Sequence, residues 1–217
     1  MRKIIYDKFD KFAINDYPVE HFPGRIIVIQ TVKEAGKAVE YLLDQDILGL
    51  DTETRPSFKK GSQQHLVSLL QVSTHDTCFL FRLNMIGMPT PIVRLLEDTM
   101  VMKVGLSWHD DILSLMRRVS FTPGYFIDIQ NLVSQIGIRD LSLRKLYANI
   151  FHKRINKRQQ LSNWDRDVLD AKQKMYAATD AWTCIMLYEE IQRLLASGDY
   201  ELVVTNQEIE QEHDDEL

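Results

Sequence analysis

The sequence predicts one α/β domain built on a mixed β-sheet with helices on both faces. Three observations carry this prediction. Apolar runs of strand length alternate with segments whose apolar residues recur at helical spacing. Two neighbouring runs, 65–73 and 77–83, are separated only by a short polar turn at His75-Asp76, which makes them a hairpin and the sheet mixed. A last long segment carries both end signals: Asp170 with Gln173 three residues on fits a capping box, and Gly198 follows its end.

The elements follow in order. Residues 1–24, with Pro18, Pro23 and Gly24, form a lead-in that packs onto the domain, and 25–30 (RIIVIQ) is a short strand. Over 31–46, Ala35, Ala38, Val39, Leu42 and Leu43 mark one helical face, with Thr31 placed as the cap. Residues 47–53 (ILGLDTE) are an apolar run that turns acidic at its end, as a buried central strand does on reaching a cleft. After the hairpin, 91–98 is a short helix, 100–106 a buried strand, 109–119 a helix, 125–129 extended and 141–150 a helix. The domain proper spans 25–198, and 199–217 is a flexible acidic tail.

The chain has 217 residues, 45% hydrophobic and 26% charged, enough apolar mass for a sizeable core. That composition excludes a collagen, a disulfide miniprotein and a wholly disordered chain. No run approaches the ~18 consecutive apolar residues of a membrane span, so no membrane partner is expected. Charge interrupts Met1-Arg2-Lys3-Ile4-Ile5-Tyr6-Asp7-Lys8 before a signal-peptide apolar region forms. Cys78 and Cys184 lie too far apart for a metal knuckle and suggest buried thiols in a reducing cytoplasm, the expected location.

The net charge of −5 is unevenly placed. Six of the last ten residues are acidic, and the chain without them sums to +1. Between Leu141 and Trp164 stand six bases (Arg144, Lys145, Lys153, Arg154, Lys157, Arg158) and no acid. Average charge therefore does not exclude a phosphate-bearing substrate.

Four acids stand out. Asp51 and Glu53, two apart at the end of an apolar strand, point to one face. Solvated carboxylates at a strand end are the commoner explanation of such a pair. Asp111, four before Leu115, lies at the edge of the buried stripe of its helix, whereas Asp110 needs no role beyond a helix-start acid. Asp180 falls on one face with Tyr176, Cys184, Leu187 and Ile191, within an otherwise apolar stripe. An ionised carboxylate there needs a partner, most often a structural Arg or Lys. Four such acids meeting in one cleft cannot all stay anionic without divalent cations. Hard oxygen ligands suit Mg²⁺ or Mn²⁺, and a pair of ions ~3.5–4 Å apart is the usual clamp for displacement at a phosphodiester.

Asp51-Thr52-Glu53, Gly105-Leu106-Ser107-Trp108-His109-Asp110-Asp111 and Tyr176-Ala177-Ala178-Thr179-Asp180 resemble the three motifs of the DEDDy 3′–5′ exonucleases, which include RNase D and the Werner-syndrome exonuclease domain. The segments 140–146 (DLSLRKL) and 161–164 (LSNW) are similar to the Werner-type branch in order and spacing. The resemblance covers about 25–195 and implies a ribonuclease-H-like fold. It implies that Asp51, Glu53, Asp111 and Asp180 hold two divalent ions and that Tyr176 orients the attacking water. It further implies release of 5′-mononucleotides from the 3′ end of a single-stranded or frayed nucleic acid. Trp108-His109-Asp110 is bulkier than the family pattern, which predicts a narrower pocket.

Arg55, Lys59, Arg154, Lys157 and Arg158 are the candidate strand contacts, although isolated surface bases are ordinary. Trp164 is expected to staple the chain entering the last helix and Trp108 to pack on the sheet, rather than to stack bases. The rival function is a catalytically silent nucleic-acid-binding module on the same fold, disfavoured because all five motif side chains are present. A third reading, an interaction protein using the acidic tail, predicts no activity and a partner with a basic face.

Overall fold

The computed structural model describes residues 2–57 and 65–205. Its main sheet has six strands: β2 (Arg25–Ile29), β3 (Ile47–Thr54), β4 (Val67–Ser73), β5 (Thr77–Phe81), β6 (Met102–Gly105) and β7 (Phe126–Asp128), in spatial order β2-β5-β4-β3-β6-β7. The β4–β5 hairpin is antiparallel, β4 pairs antiparallel with β3, and the remaining neighbours are parallel. The expected mixed sheet is present.

Helix α1 (Val32–Leu43) carries a full capping box between Thr31 and Glu34. With α3 (Thr90–Glu97), it buries Ala38, Leu42, Ile92 and Leu96 against Leu48, Leu50 and Val72 on one face of the sheet. The other face is covered by α7 (Ala171–Ser197). Asp170 and Gln173 form the capping box of α7, and Gly198 closes it in the left-handed region at φ 66°. The short α2 (Leu83–Ile86), α4 (Trp108–Met116), α5 (Ile129–Val133) and α6 (Leu143–Phe151) complete the helices.

Two expectations change. Lys3–Tyr6 (β1) pairs in parallel with Tyr200–Val203 (β8), a second sheet joining the lead-in to the stretch expected to be tail. Asp7 extends the junction by accepting the amide and hydroxyl of Thr205, both at 2.8 Å. Residues 206–217, with most of the acidic run, lie outside the described residues. Strand β6 also begins later than expected. Asp98 Oδ1 accepts the amides of Met100 and Val101 in a turn that leaves Met100 83% exposed.

Candidate active site

Strand β3 sets the site by alternation. Leu48 and Leu50 enter the core shared with α1 and α3, so Gly49, Asp51 and Glu53 face the opposite layer. Strand β6 runs beside β3 only as far as Gly49, and the two acids project past the end of this pairing. Gly49 decides how closely α7 approaches. A Cβ there would stand 2.0 Å from the Ala181 carbonyl oxygen and 2.9 Å from Ile185 Cγ1. The missing side chain lets α7 lie on the strand, which places Asp180 over Asp51 and Glu53.

Oxygens of Asp51, Glu53 and Asp180 lie within 4.8 Å of one another. Glu53 and Asp180 are buried, and Asp180 Oδ1 has no hydrogen-bond partner. Burial raises the proton affinity of all three: Asp180 reaches about 7, and Asp51 and Glu53 are pushed well up with help from their acidic neighbours. The Tyr176 hydroxyl, hydrogen-bonded to Asp180, and the charge of Lys157 act in the other direction on Asp180.

The fourth acid stands beside this group, not within it. The Asp111 carboxylate accepts the Thr52 hydroxyl on β3, and burial raises its pKa to about 6. Its charge nevertheless pushes up Asp51 and Glu53. Where four acids are expected in one cluster, three share it and Asp111 adjoins, hydrogen-bonded by Thr52. The turn into α4 is tight: Ser107 adopts φ 61°, and Gly105 leaves room for the Trp108 indole. Asp128 holds that turn, taking the amides of Ser107 and Trp108 at 3.0 Å and of Gln130 at 2.9 Å. Sequence reasoning missed Asp128, although an acid ending a short strand before an apolar segment is a recognisable cap signal.

Tyr176 is positioned from behind. Its ring lies 6.0 Å from that of the fully buried Trp164, which does staple the segment entering α7. Gln173 ties the same segment down, donating to Ser162 Oγ and the Asn163 carbonyl. Trp108 packs edge-on against Phe126. Neither it nor His109 or Asp110 lines the cavity, so the expected narrowing by this stretch does not occur.

A cavity of about 270 Å³ opens over the acids. It is lined by the acids Asp51, Glu53 and Asp180 with Tyr176, by the bases Arg144 and Lys157, and by Leu106, Leu143 and Ile155. A neighbouring cavity of about 370 Å³ shares Ile155 and Tyr176 and is lined by Arg158 and Lys172. Of the candidate strand contacts, Lys157 and Arg158 therefore face cavities. Arg154 lines neither, its Nε donating to the Tyr17 carbonyl at 2.9 Å. Arg55 is exposed outside both, and Lys59 lies outside the described residues.

Residues 26–196 match the model of a 3′–5′ exonuclease domain family. A 3′–5′ exonuclease of Arabidopsis thaliana is 29% identical over 82% of this chain and 67% of its own length. Exonuclease 3′–5′ domain-containing protein 2 of Drosophila melanogaster is 32% identical over 68% of this chain. The bifunctional 3′–5′ exonuclease/ATP-dependent helicase WRN of Mus musculus is 25% identical over 83%. The matches span only 25% of the fly protein and 14% of the mouse protein. Among solved structures, the Nibbler EXO domain of Aedes aegypti superposes with a TM-score of 0.75 at 19% identity, over 84% of this chain and 95% of that one. Escherichia coli RNase D follows the same fold, with a TM-score of 0.67 at 19% identity over 78% and 45% of the two chains. By the family match along most of its length, on the ribonuclease-H-like fold of these neighbours, the chain belongs to the 3′–5′ exonuclease domain family.

Proposed function

We propose that the protein is a divalent-metal-dependent 3′–5′ exonuclease that removes 5′-mononucleotides from the 3′ end of a single-stranded or frayed nucleic acid. The observation that carries the reading is the three-carboxylate cluster lining a cavity, with one oxygen of Asp180 buried and unpartnered. Such a donor set fits a hard cation such as Mg²⁺ or Mn²⁺, since it offers only oxygens and its anions repel one another until a cation joins them. Asp51, Glu53 and Asp180 would hold two ions, with Asp111 as the fourth ligand. When bound, the ions supply Lewis acidity at the scissile phosphate and lower the pKa of the attacking water.

The chain's own groups do the rest. Tyr176, backed by Trp164, holds its hydroxyl beside Asp180, where it orients the water for attack on phosphorus. The bond from phosphorus to the 3′ oxygen of the preceding nucleotide breaks, leaving a 3′-hydroxyl on the shortened strand. Lys157 and Arg158 in the two adjoining cavities meet the phosphates of the strand and supply affinity without reading sequence. Most of the rate enhancement rests on positioning and fixed electrostatics.

A 5′-labelled oligonucleotide incubated with the protein and Mn²⁺ tests this directly. A ladder shortening from the 3′ end, abolished by EDTA and by Asp180→Ala, is expected. Binding without any shortening would support the silent module instead.

A further inference from the structure

Bases line the cavity as well as acids, and among the described residues neither Arg144 nor Lys157 forms an ion pair. The neighbouring bases are engaged: Lys145 pairs with Asp140 at 2.8 Å, Lys153 with Glu20 at 2.6 Å, and Arg154 bonds the Tyr17 carbonyl. Arg144, in the first turn of α6, differs. One terminal nitrogen donates to the neutral Asn15 Oδ1 at 2.8 Å, and Nε is buried without a partner. Among the described residues Arg144 forms no ion pair. Arg144 is half-buried, and its guanidinium has donors beyond the one given to Asn15 with which to take an anion.

Its position is built from elsewhere in the chain. Asn15 belongs to a 3₁₀ turn (Ala13–Asp16) of the lead-in, and Ile14 of that turn is buried with Phe9 against Ala148 of α6. The lead-in thereby fixes the guanidinium at the cavity wall. Arg144 reaches the cavity from α6, tethered to the lead-in, whereas Asp51 and Glu53 reach it from β3 and Asp180 from α7. Arg144 and the acids thus line one cavity from different elements of the fold. A planar fork of donors suits a phosphate oxyanion.

We infer that Arg144, tethered by Asn15, binds a second phosphate of the strand end, distinct from the scissile one. This rests on the exonuclease reading and deepens it. Two phosphates meet the description: the internal phosphodiester adjoining the scissile one, and a phosphate on the terminal 3′ oxygen.

The test compares wild type with R144Q and R144K on three substrates. These are a dinucleoside monophosphate, a trinucleotide, and the dinucleoside monophosphate carrying a 3′-phosphate. If the internal phosphate is the ligand, R144Q lowers the kcat/KM preference for trinucleotide over dinucleoside monophosphate about ten-fold or more, the loss of a charge-assisted hydrogen bond. If the terminal phosphate is the ligand, the same loss falls on the preference for the 3′-phosphorylated substrate. R144K recovers part of the preference, since it keeps charge but not the fork. Calorimetric titration of the three substrates into D180N and D180N/R144Q repeats the comparison without turnover. Equal losses on all three substrates, or unchanged ratios in both measurements, overturn the inference. Failure of the wild type to hydrolyse anything refutes the exonuclease reading alone, because the titrations still decide on Arg144.

Discussion

Gly49→Ala tests the contact that assembles the site. The added Cβ would stand 2.0 Å from the Ala181 carbonyl oxygen, where ordinary contact begins near 3.4 Å, so α7 must retreat from β3 by ~1.4 Å. Asp180 precedes Ala181 and moves with it, away from Asp51 and Glu53. Overpacking of this kind costs about 1–3 kcal/mol of stability. A displacement near 1 Å at reacting groups costs on the order of 10²-fold in rate. The expected result is a folded protein with a Tm lowered by several degrees, kcat/KM on a labelled oligonucleotide reduced ~100-fold, and weaker Mn²⁺ binding in a thermal-shift titration. Gly36→Ala is the control. A Cβ at that helical position meets nothing within 4 Å, and the substitution should stabilise α1 by about 0.5–1 kcal/mol with activity retained. Wild-type activity and Mn²⁺ affinity in Gly49→Ala would refute the argument that this approach positions Asp180.

Three further outcomes are expected. In EDTA, Asp180 with a pKa of about 7 and Asp111 of about 6 hold protons that the unfolded chain, near 3.8, releases; stability therefore falls as pH rises from 5 to 8. Mn²⁺ should raise Tm more at pH 8 than at pH 5, and D180N should raise the metal-free Tm at pH 8 by ~3 °C or more; a Tm in EDTA that climbs over this range would contradict the sign. Tyr176→Phe should lower kcat on the order of 10²-fold while Mn²⁺ affinity in the same titration stays put, and a parallel loss of metal binding would make Tyr176 structural. Reversing Lys157 and Arg158 to Glu should weaken strand binding more than dinucleotide hydrolysis. It should also flatten the salt dependence by roughly 0.7 per lost phosphate contact, and equal losses on both substrates would count against strand contacts.

Much of this site was legible in one dimension because its signals are local. The cap at Thr31, the capping box at Asp170, the hairpin turn and the glycine at 198 involve residues at most a few positions apart, and all appear in the structure. Alternation along β3 put Asp51 and Glu53 on one face, and only the motif resemblance marked them as ligands. The helical stripe of α7 singled out Asp180, because an acid on an apolar face violates its surroundings whatever the fold. Asp111 was picked out by the same logic, but its engagement by Thr52 was not, since a hydroxyl on the other side of a strand carries no sequence signal for a distant acid. Arg154 and Arg158 look alike in a basic run, yet one is spent on a backbone carbonyl and the other faces a cavity.

Local order and the chemical character of each segment were thus decided by the chain itself, through periodicity, capping and the cost of burying charge. Tertiary structure alone decided which distant groups meet. It joined Lys3–Tyr6 to Tyr200–Val203, seated α7 against Gly49, and tethered Arg144 to Asn15. The physical reason is that pairing over long separations depends on the packing of whole faces, where a missing Cβ or a single amide oxygen sets the geometry, and no spacing along the sequence encodes that meeting.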